Sequence, residues 1–223
     1  MKNIIYIHIC CINNYKEIFT KLLINIHKSK LYNIIDEIRC VILGDYFDII
    51  DILNDPKIKI IYKSSDYNLY EFKIMELIYK DALEDDFNIL YLHTKGIRHY
   101  NTAIQKNIED WVDMLIYYNI IQHNICIDKL IDYDAVGINL QANPWHFSGN
   151  FWWSKSSHIK NLGLINDKSY NGPEFYITKK TEAKYLSLWN SCINHYNIRY
   201  PFNLYINKFK LLSFDNGIIS MKN

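Results

Sequence analysis

Apolar residues along the chain fall into alternating strand-like and helix-like runs. Ile4 to Cys10 is an unbroken apolar stretch rich in Ile, the pattern of a strand buried on both faces. Tyr15 to Lys28 carries Ile18, Leu22 and Ile26 at helical spacing. Glu37 to Gly44 predicts a second strand, and Tyr46 to Leu53 a short helix stopped by Asn54-Asp55-Pro56. Lys57 to Tyr62 predicts a third strand. Leu69 to Leu83 predicts a helix with Phe72, Met75, Leu77 and Tyr79 among its apolar residues, and Phe87 to Leu92 a fourth strand. This β-α-β-α-β-α-β order predicts an α/β fold with a Rossmann-type, mostly parallel sheet flanked by helices.

After Gly96 the rhythm changes. Residues 104–130 have a helical pattern with a break near His123, and Asp134 to Leu140 has a strand pattern. Phe147 to Trp153 predicts another strand, Ser156 to Leu162 a short helix, and Thr181 to Tyr196 a late helix. The tail around Tyr200-Pro201-Phe202 matches no element. No internal repeat or linker interrupts the chain, so residues 1–223 are expected to form one domain. Its first half, 1–100, has a nucleotide-type Rossmann pattern, and residues 101–223 form a mixed half.

Composition excludes several classes. At 223 residues the chain can bury a sizeable core. A net charge of +1 excludes a nucleic-acid binder driven by bulk charge, and 15% aromatic residues exclude intrinsic disorder. No apolar run reaches the roughly 20 residues that span a bilayer. Ile, Asn, Lys and Tyr make up nearly half the chain. All four are read from A/T-rich codons, so their abundance reflects genome bias, and Trp, Gly, Pro and His carry more information. The cysteines Cys10, Cys11, Cys40, Cys126 and Cys192 match no zinc spacing and are expected as reduced thiols. With no signal-peptide pattern at the N-terminus, this implies a cytoplasmic protein, in the host cytoplasm if the source is a virus.

In open α/β sheets, ligands bind beyond the carboxyl ends of the strands. Those ends here are His8 to Asn13, Gly44-Asp45, Lys63 to Asp66 and His93 to Gly96. The chain has no G-x-G-x-x-G after the first strand, no P-loop and no G-x-S-x-G elbow, so three common enzyme classes drop out. Four landmarks remain. They are the strand order, Tyr91-Leu92-His93-Thr94-Lys95-Gly96, Tyr133-Asp134-Ala135-Val136-Gly137, and Ser148-Gly149-Asn150-Phe151-Trp152-Trp153 with Pro173-Glu174-Phe175 behind it.

Together these landmarks, over residues 3–178, resemble small nucleotide-sugar-dependent glycosyltransferases of the A-type fold, of the kind found in large DNA viruses and bacterial glycan clusters. The resemblance implies transfer of a sugar from a nucleoside-diphosphate sugar, a UDP-sugar in particular, to a glycan or other hydroxyl acceptor. It places His8, Asp66, Glu71, His93, Thr94, Lys95 and Gly96 at the donor, with the first strand end, His8 to Asn13, under the base. It places Ser148, Gly149, Asn150 and one of Trp152 and Trp153 at the sugar or acceptor, because alternation turns only one indole toward the site. Glu174 is the expected general base and His146 the second choice. Residue types alone also allow Asp66 as a helix N-cap and Glu174 as a helix-start carboxylate.

The family usually ends its fourth strand in Asp-x-Asp, which holds a divalent metal, Mn or Mg, against the donor diphosphate. Here that strand ends His93-Thr94-Lys95. Either Lys95 replaces the metal as a point charge, or His93 is itself a metal ligand. The literal Asp132-Tyr133-Asp134 precedes a strand and is expected at the opposite edge of the sheet. Asp85-Asp86 is expected to terminate a helix, and Asp45 to touch a nucleotide or cap the next helix. Charged residues around Trp111 predict a solvated helix with one anchored aromatic. The missing Asp-x-Asp keeps open a catalytically inactive glycan- or nucleotide-sugar-binding protein of the same fold. A nucleotidyltransferase is disfavoured, because Cys10-Cys11-Ile12-Asn13-Asn14 lacks that class's Gly-rich basic loop.

Overall fold

The computed structural model describes residues 1–222 and is an α/β structure built on one nine-stranded sheet. Four parallel strands form its first part: β1 (Lys2–Cys10), β2 (Glu37–Leu43), β3 (Ile58–Ser64) and β4 (Phe87–His93). The sheet continues through β8 (Trp152–Lys155), β5 (Ala135–Gly137), β9 (Lys184–Ser187), β10 (Leu211–Asp215) and β11 (Ile218–Lys222), in the order β3-β2-β1-β4-β8-β5-β9-β10-β11. Strand β8 runs antiparallel to both its neighbours, while β5 and β9 are parallel. A two-stranded ladder, β6 (Leu140–Gln141) with β7 (His146–Phe147), lies outside this sheet.

Two layers of side chains cover the sheet, and the period of two along each strand sets which residue joins which. Ile5, Ile7 and Ile9 face one core with α1 (Tyr15–Lys28), α4 (Gln105–Ile116) and α5 (His123–Lys129). Ile4 and Tyr6 face the other, with α3 (Phe72–Glu84), α6 (Ser156–Leu162) and α7 (Gly172–Tyr176). Helix α1 buries Tyr15, Ile18, Phe19, Leu22, Leu23 and Ile26, one continuous stripe, and spans the predicted range. A short helix α2 (Leu31–Ile34) follows it.

The structure corrects four sequence expectations. The helix expected at 46–53 is two 3-10 turns, Phe47–Ile49 and Ile52–Asn54. The strand expected at 147–153 is broken between β7 and β8, because Gly149 (φ +100°) and Asn150 (φ +55°) both turn left-handed. The strand at 134–140 ends at Gly137, with Asn139 at φ +52°. The late helix at 181–196 is absent: residues 184–187 form β9, hydrogen-bonded on both sides, and Cys192 turns left-handed at φ +58°. There the sheet supplies backbone partners on two edges, which outweighs a local helical preference. The helical stretch 104–130 is confirmed in outline, with five π-helical residues, Tyr117–Ile121, at its break. Among the described residues, no helix is long and apolar enough to cross a membrane.

Candidate active site

A cavity of about 450 Å³ opens at the carboxyl ends of β1 and β4. That volume suits a small ligand. Of the residues expected there, His8, Glu71, His93, Thr94, Lys95, Gly96, Asn150 and Glu174 line it. The parallel register pairs His8 with His93, so both imidazoles leave the sheet on the α3 face. Glu71, immediately before α3, meets them from above. One face of the sheet end is thus furnished by three segments far apart in sequence.

Glu71 is held firmly. Its Oε2 accepts hydrogen bonds from the Tyr91 hydroxyl and from Asn150 Nδ2 (2.7 Å), and its Oε1 lies 3.9 Å from His93 Nδ1. Burial alone would raise its pKa. The fields of His93 and His8, the Tyr91 hydroxyl and Lys95 reverse this and hold the carboxyl below its usual range. Burial lowers the pKa of both imidazoles, His8 to about 4 and His93 below its ordinary value, against the pull of Glu71. His93 Nε2 is 3.1 Å from the Gly149 carbonyl, an acceptor, so the proton is assigned to Nε2.

The turn 148–151 links this floor to the candidate base. The Gly149 N–H donates to Glu174 Oε1 at 3.0 Å, while its carbonyl receives His93. A Cβ at Gly149 would stand 2.8 Å from Leu115 Cδ1 and 3.2 Å from Trp111 Nε1, so the backbone passes there only as glycine. Glu174 enters on the first turn of α7, behind Pro173. Thr94 contributes structurally: its Oγ1 accepts the Cys10 N–H across the strand ends, at 3.0 Å. Gly96 (φ +91°) makes the turn that follows, with Ile108 2.6 Å from where its Cβ would be.

The cationic wall was legible only in part. Lys95 places Nζ 4.0 Å from the Trp111 ring centre, and Trp111 stacks in turn on His195. Burial lowers the Lys95 pKa, opposed by Glu174 and Glu71. Arg98, at the mouth, lies between the rings of Tyr70 (5.5 Å) and Tyr170 (5.1 Å) and donates to the Tyr170 hydroxyl at 3.1 Å. Sequence reasoning missed Arg98, Trp111, Tyr70 and Tyr170 as lining residues. Arg98 had a signal: Arg39, Arg98 and Arg199 stand out in a chain whose basic residues are otherwise Lys. Trp111 had none beyond its type, since α4 alone carries it to the strand ends.

Several expected residues stand elsewhere. Trp152 and Trp153 are both 0% exposed, so neither indole reaches the cavity. They alternate to opposite cores, Trp152 Nε1 donating to Asn150 Oδ1 and Trp153 Nε1 to the Asn119 carbonyl. Asp66 is exposed and accepts the Asn68 N–H at 2.9 Å, capping the 3-10 turn Tyr67–Leu69. His146 pairs through Nδ1 with the Pro144 carbonyl and packs on Phe175, away from the cavity. Ser148 donates its backbone N–H to Asn139 and does not line the cavity. Asp45 accepts the Phe47 N–H. Asp134 accepts the Lys184 N–H and, like Asp85 and Asp86, lies at the amino ends of the parallel strands, the edge opposite the cavity.

The donor set does not fit a resident divalent metal. Among the described residues, no three His, Cys, Asp or Glu side chains are placed to hold one ion. His93 meets a single nearby carboxylate, at 3.9 Å.

No family model matches the chain, and no curated protein matches it in sequence. Among solved structures, the crystal structure of 4-diphosphocytidyl-2C-methyl-D-erythritol synthase is similar to it at 13% identity. The alignment covers 92% of this chain and 95% of that one, with a TM-score of 0.41. A likeness that distant assigns neither activity nor site residues.

Proposed function

We propose that the cavity binds a nucleoside-diphosphate sugar, with UDP the expected carrier, and that the protein transfers the sugar to a hydroxyl of a glycan or similar acceptor. One observation carries this reading: Lys95 and Arg98 share a cavity with the Glu174 carboxylate, at the strand ends where α/β sheets bind ligands. A diphosphate needs fixed positive charge, and without a metal cage Lys95 and Arg98 are the groups that supply it. Arg98 offers a planar fork to phosphate oxygens, and Lys95 a point charge. The aromatic faces of Tyr70, Tyr170 and Trp111 suit a base or the C–H face of a sugar.

In the transfer, Glu174 takes the proton of the acceptor hydroxyl as its oxygen bonds to the anomeric carbon. The bond from that carbon to the diphosphate breaks, and the leaving diphosphate carries its electrons onto the Lys95–Arg98 wall. Gly149 fixes the Glu174 carboxylate for this task through its N–H. Such a base is worth on the order of 10² to 10⁴ in rate. A second reading, a binding protein without turnover, is favoured by the lack of any acidic pair at the end of β4. Release of UDP from UDP-sugars, measured with and without a panel of glycan acceptors, separates the two. Acceptor-dependent release that is lost in Glu174→Gln supports the transferase. Tight UDP-sugar binding with no release supports the binding protein, and no binding contradicts both.

A further inference from the structure

A second cavity, of about 430 Å³, opens on the same edge of the sheet as the first. Strand β8 is antiparallel to both β4 and β5, so β5 and β9 end on the edge where β1 and β4 end. Beyond those ends the chain departs toward opposite faces. After β5 it passes through Asn139 to Leu140 and β6, in the core on the α3 side. After β9 it runs through Leu188 and Trp189 into the core on the α1 side. A crevice between strands whose continuations part in this way is where open α/β sheets take ligands. Asn139, Leu140 and Gln141 line the cavity from the first of these segments, and Asn190 and Cys192 from the second.

Asn139 ties the two segments together. Its Oδ1 accepts the Ser191 N–H at 2.8 Å and the Ser191 hydroxyl at 3.1 Å, and its N–H donates to the Trp189 carbonyl at 2.7 Å. Cys192 sits in the left-handed region at φ +58°, a conformation uncommon outside glycine that concentrates at ligand clamps. On its other side, Asn139 Nδ2 lies 3.4 Å from His195 Nε2, and His195 stacks on Trp111, which lines the first cavity. These three side chains form a row from one cavity to the other.

The lining is part apolar and part polar, and most of its polar groups are free. Leu212 and Met221 are directly opposed on β10 and β11, so they share a face of the hairpin and add to the apolar side of Leu140. The side chains of Gln141 and Lys210 make no hydrogen bond or ion pair among the described residues, and Asn190 uses only its Oδ1, on the Ser187 hydroxyl. The Lys210 N–H donates to the Leu188 carbonyl at 3.0 Å, which sets this exposed lysine beside the end of β9. No Asp or Glu lines the cavity, and none occurs between Glu182 and Asp215. A cation finds no partner there, and a fatty carboxylate would answer Lys210 and leave two carboxamides unmatched.

We propose that this second crevice binds a sugar bearing an anionic group, a carboxylate or a phosphate. The C–H face of the sugar meets Leu140, Leu212 and Met221, its hydroxyls meet the carboxamides of Gln141 and Asn190, and its anion meets Lys210. A carboxamide carries both a donor and an acceptor, which is what a hydroxyl requires, and an ammonium is a point charge that takes either anion. The site stands apart from the first cavity and does not need the donor reading. On the transferase reading its sugar belongs to the acceptor, because the donor fills the first cavity.

Titration of the full chain with two sets of matched ligands tests the proposal. One set is short oligomers of glucuronic, galacturonic and mannuronic acid against their methyl esters, and the other is hexose 6-phosphates against the free hexoses. In at least one set the anionic member is expected to bind about tenfold more tightly than its neutral match, and the set that responds names the anion. Lys210→Met, which removes no bond of the fold, should bring the matched ligands to equal affinity, while Lys95→Met leaves the preference in place. Equal affinities in both sets, or no binding in either, would overturn the site. A preference that survives Lys210→Met, or that disappears in Lys95→Met, puts the anion elsewhere and overturns it as well. Whether UDP binds decides the donor reading alone, so the two can fail separately.

Discussion

Glu174 and Gly149 show how a single backbone amide fixes a carboxylate at the cavity. With Oε1 held at 3.0 Å by that N–H, the carboxylate is oriented before any ligand arrives. If Glu174 acts as the proposed base, Glu174→Gln keeps the shape and removes it, so turnover should fall by about 10²–10⁴ with little change in KM, as steady-state kinetics would show. Buried imidazoles give a second prediction. Burial pulls the pKa of His8 and of His195 down to about 4 in the fold, against an ordinary value near 6.5. Above about pH 6.5 both states are neutral and the histidines do not affect stability. Below it the unfolded chain takes up protons that the fold refuses, so stability falls until the folded pKa is reached. Each site contributes a slope of about 1.4 kcal/mol per pH unit. Melting temperatures between pH 7 and pH 4.5 should therefore drop less steeply in His195→Gln than in the parent, and equal slopes would refute this.

At the scale of elements, the turn between β7 and β8 joins His93 to Glu174. Gly149→Ala must accommodate a Cβ 2.8 Å from Leu115 at a φ of +100°. A loss of about 1–3 kcal/mol in chemical denaturation is expected, together with a fall in turnover. A second connection crosses the mouth. Arg98 bridges Tyr70, before α3, to Tyr170, before α7. Arg98→Ala should speed proteolysis in the segment between α6 and α7 while the melting temperature stays nearly unchanged. The parallel elements were legible because a strand buried on both faces is written as a run of Ile and a half-buried helix as a period of 3.6. The residues after Gly96 were harder to place. Positive φ at Asn139, Asn150 and Cys192 is not visible in an Asn-rich chain, where Asn carries little signal. Strand β9 depends on partners from β5 and β10, remote in sequence. In the site, His8, His93 and Lys95 followed from the strand-end rule. Trp152 and Trp153 did not behave as expected, because both sheet faces at β8 are covered and alternation sends each indole into a core.

Across the whole molecule, one sheet carries both halves. Strands β4 and β8 join the 1–100 region to the remainder at the sheet's centre, and the cavity draws its lining from both sides of that seam. A ligand there touches both halves and should stabilise the molecule as a unit. On the proposed function this cavity binds a nucleoside diphosphate on Lys95 and Arg98. The most direct measurement is the thermal shift of the full chain with UDP and the other nucleoside diphosphates, repeated in Lys95→Ala and Arg98→Ala. At 100 times its dissociation constant the right diphosphate adds about 2.7 kcal/mol to stability. A clear rise in melting temperature with UDP is expected, lost in both variants. No rise with any nucleoside diphosphate, or a rise that survives both substitutions, would contradict it.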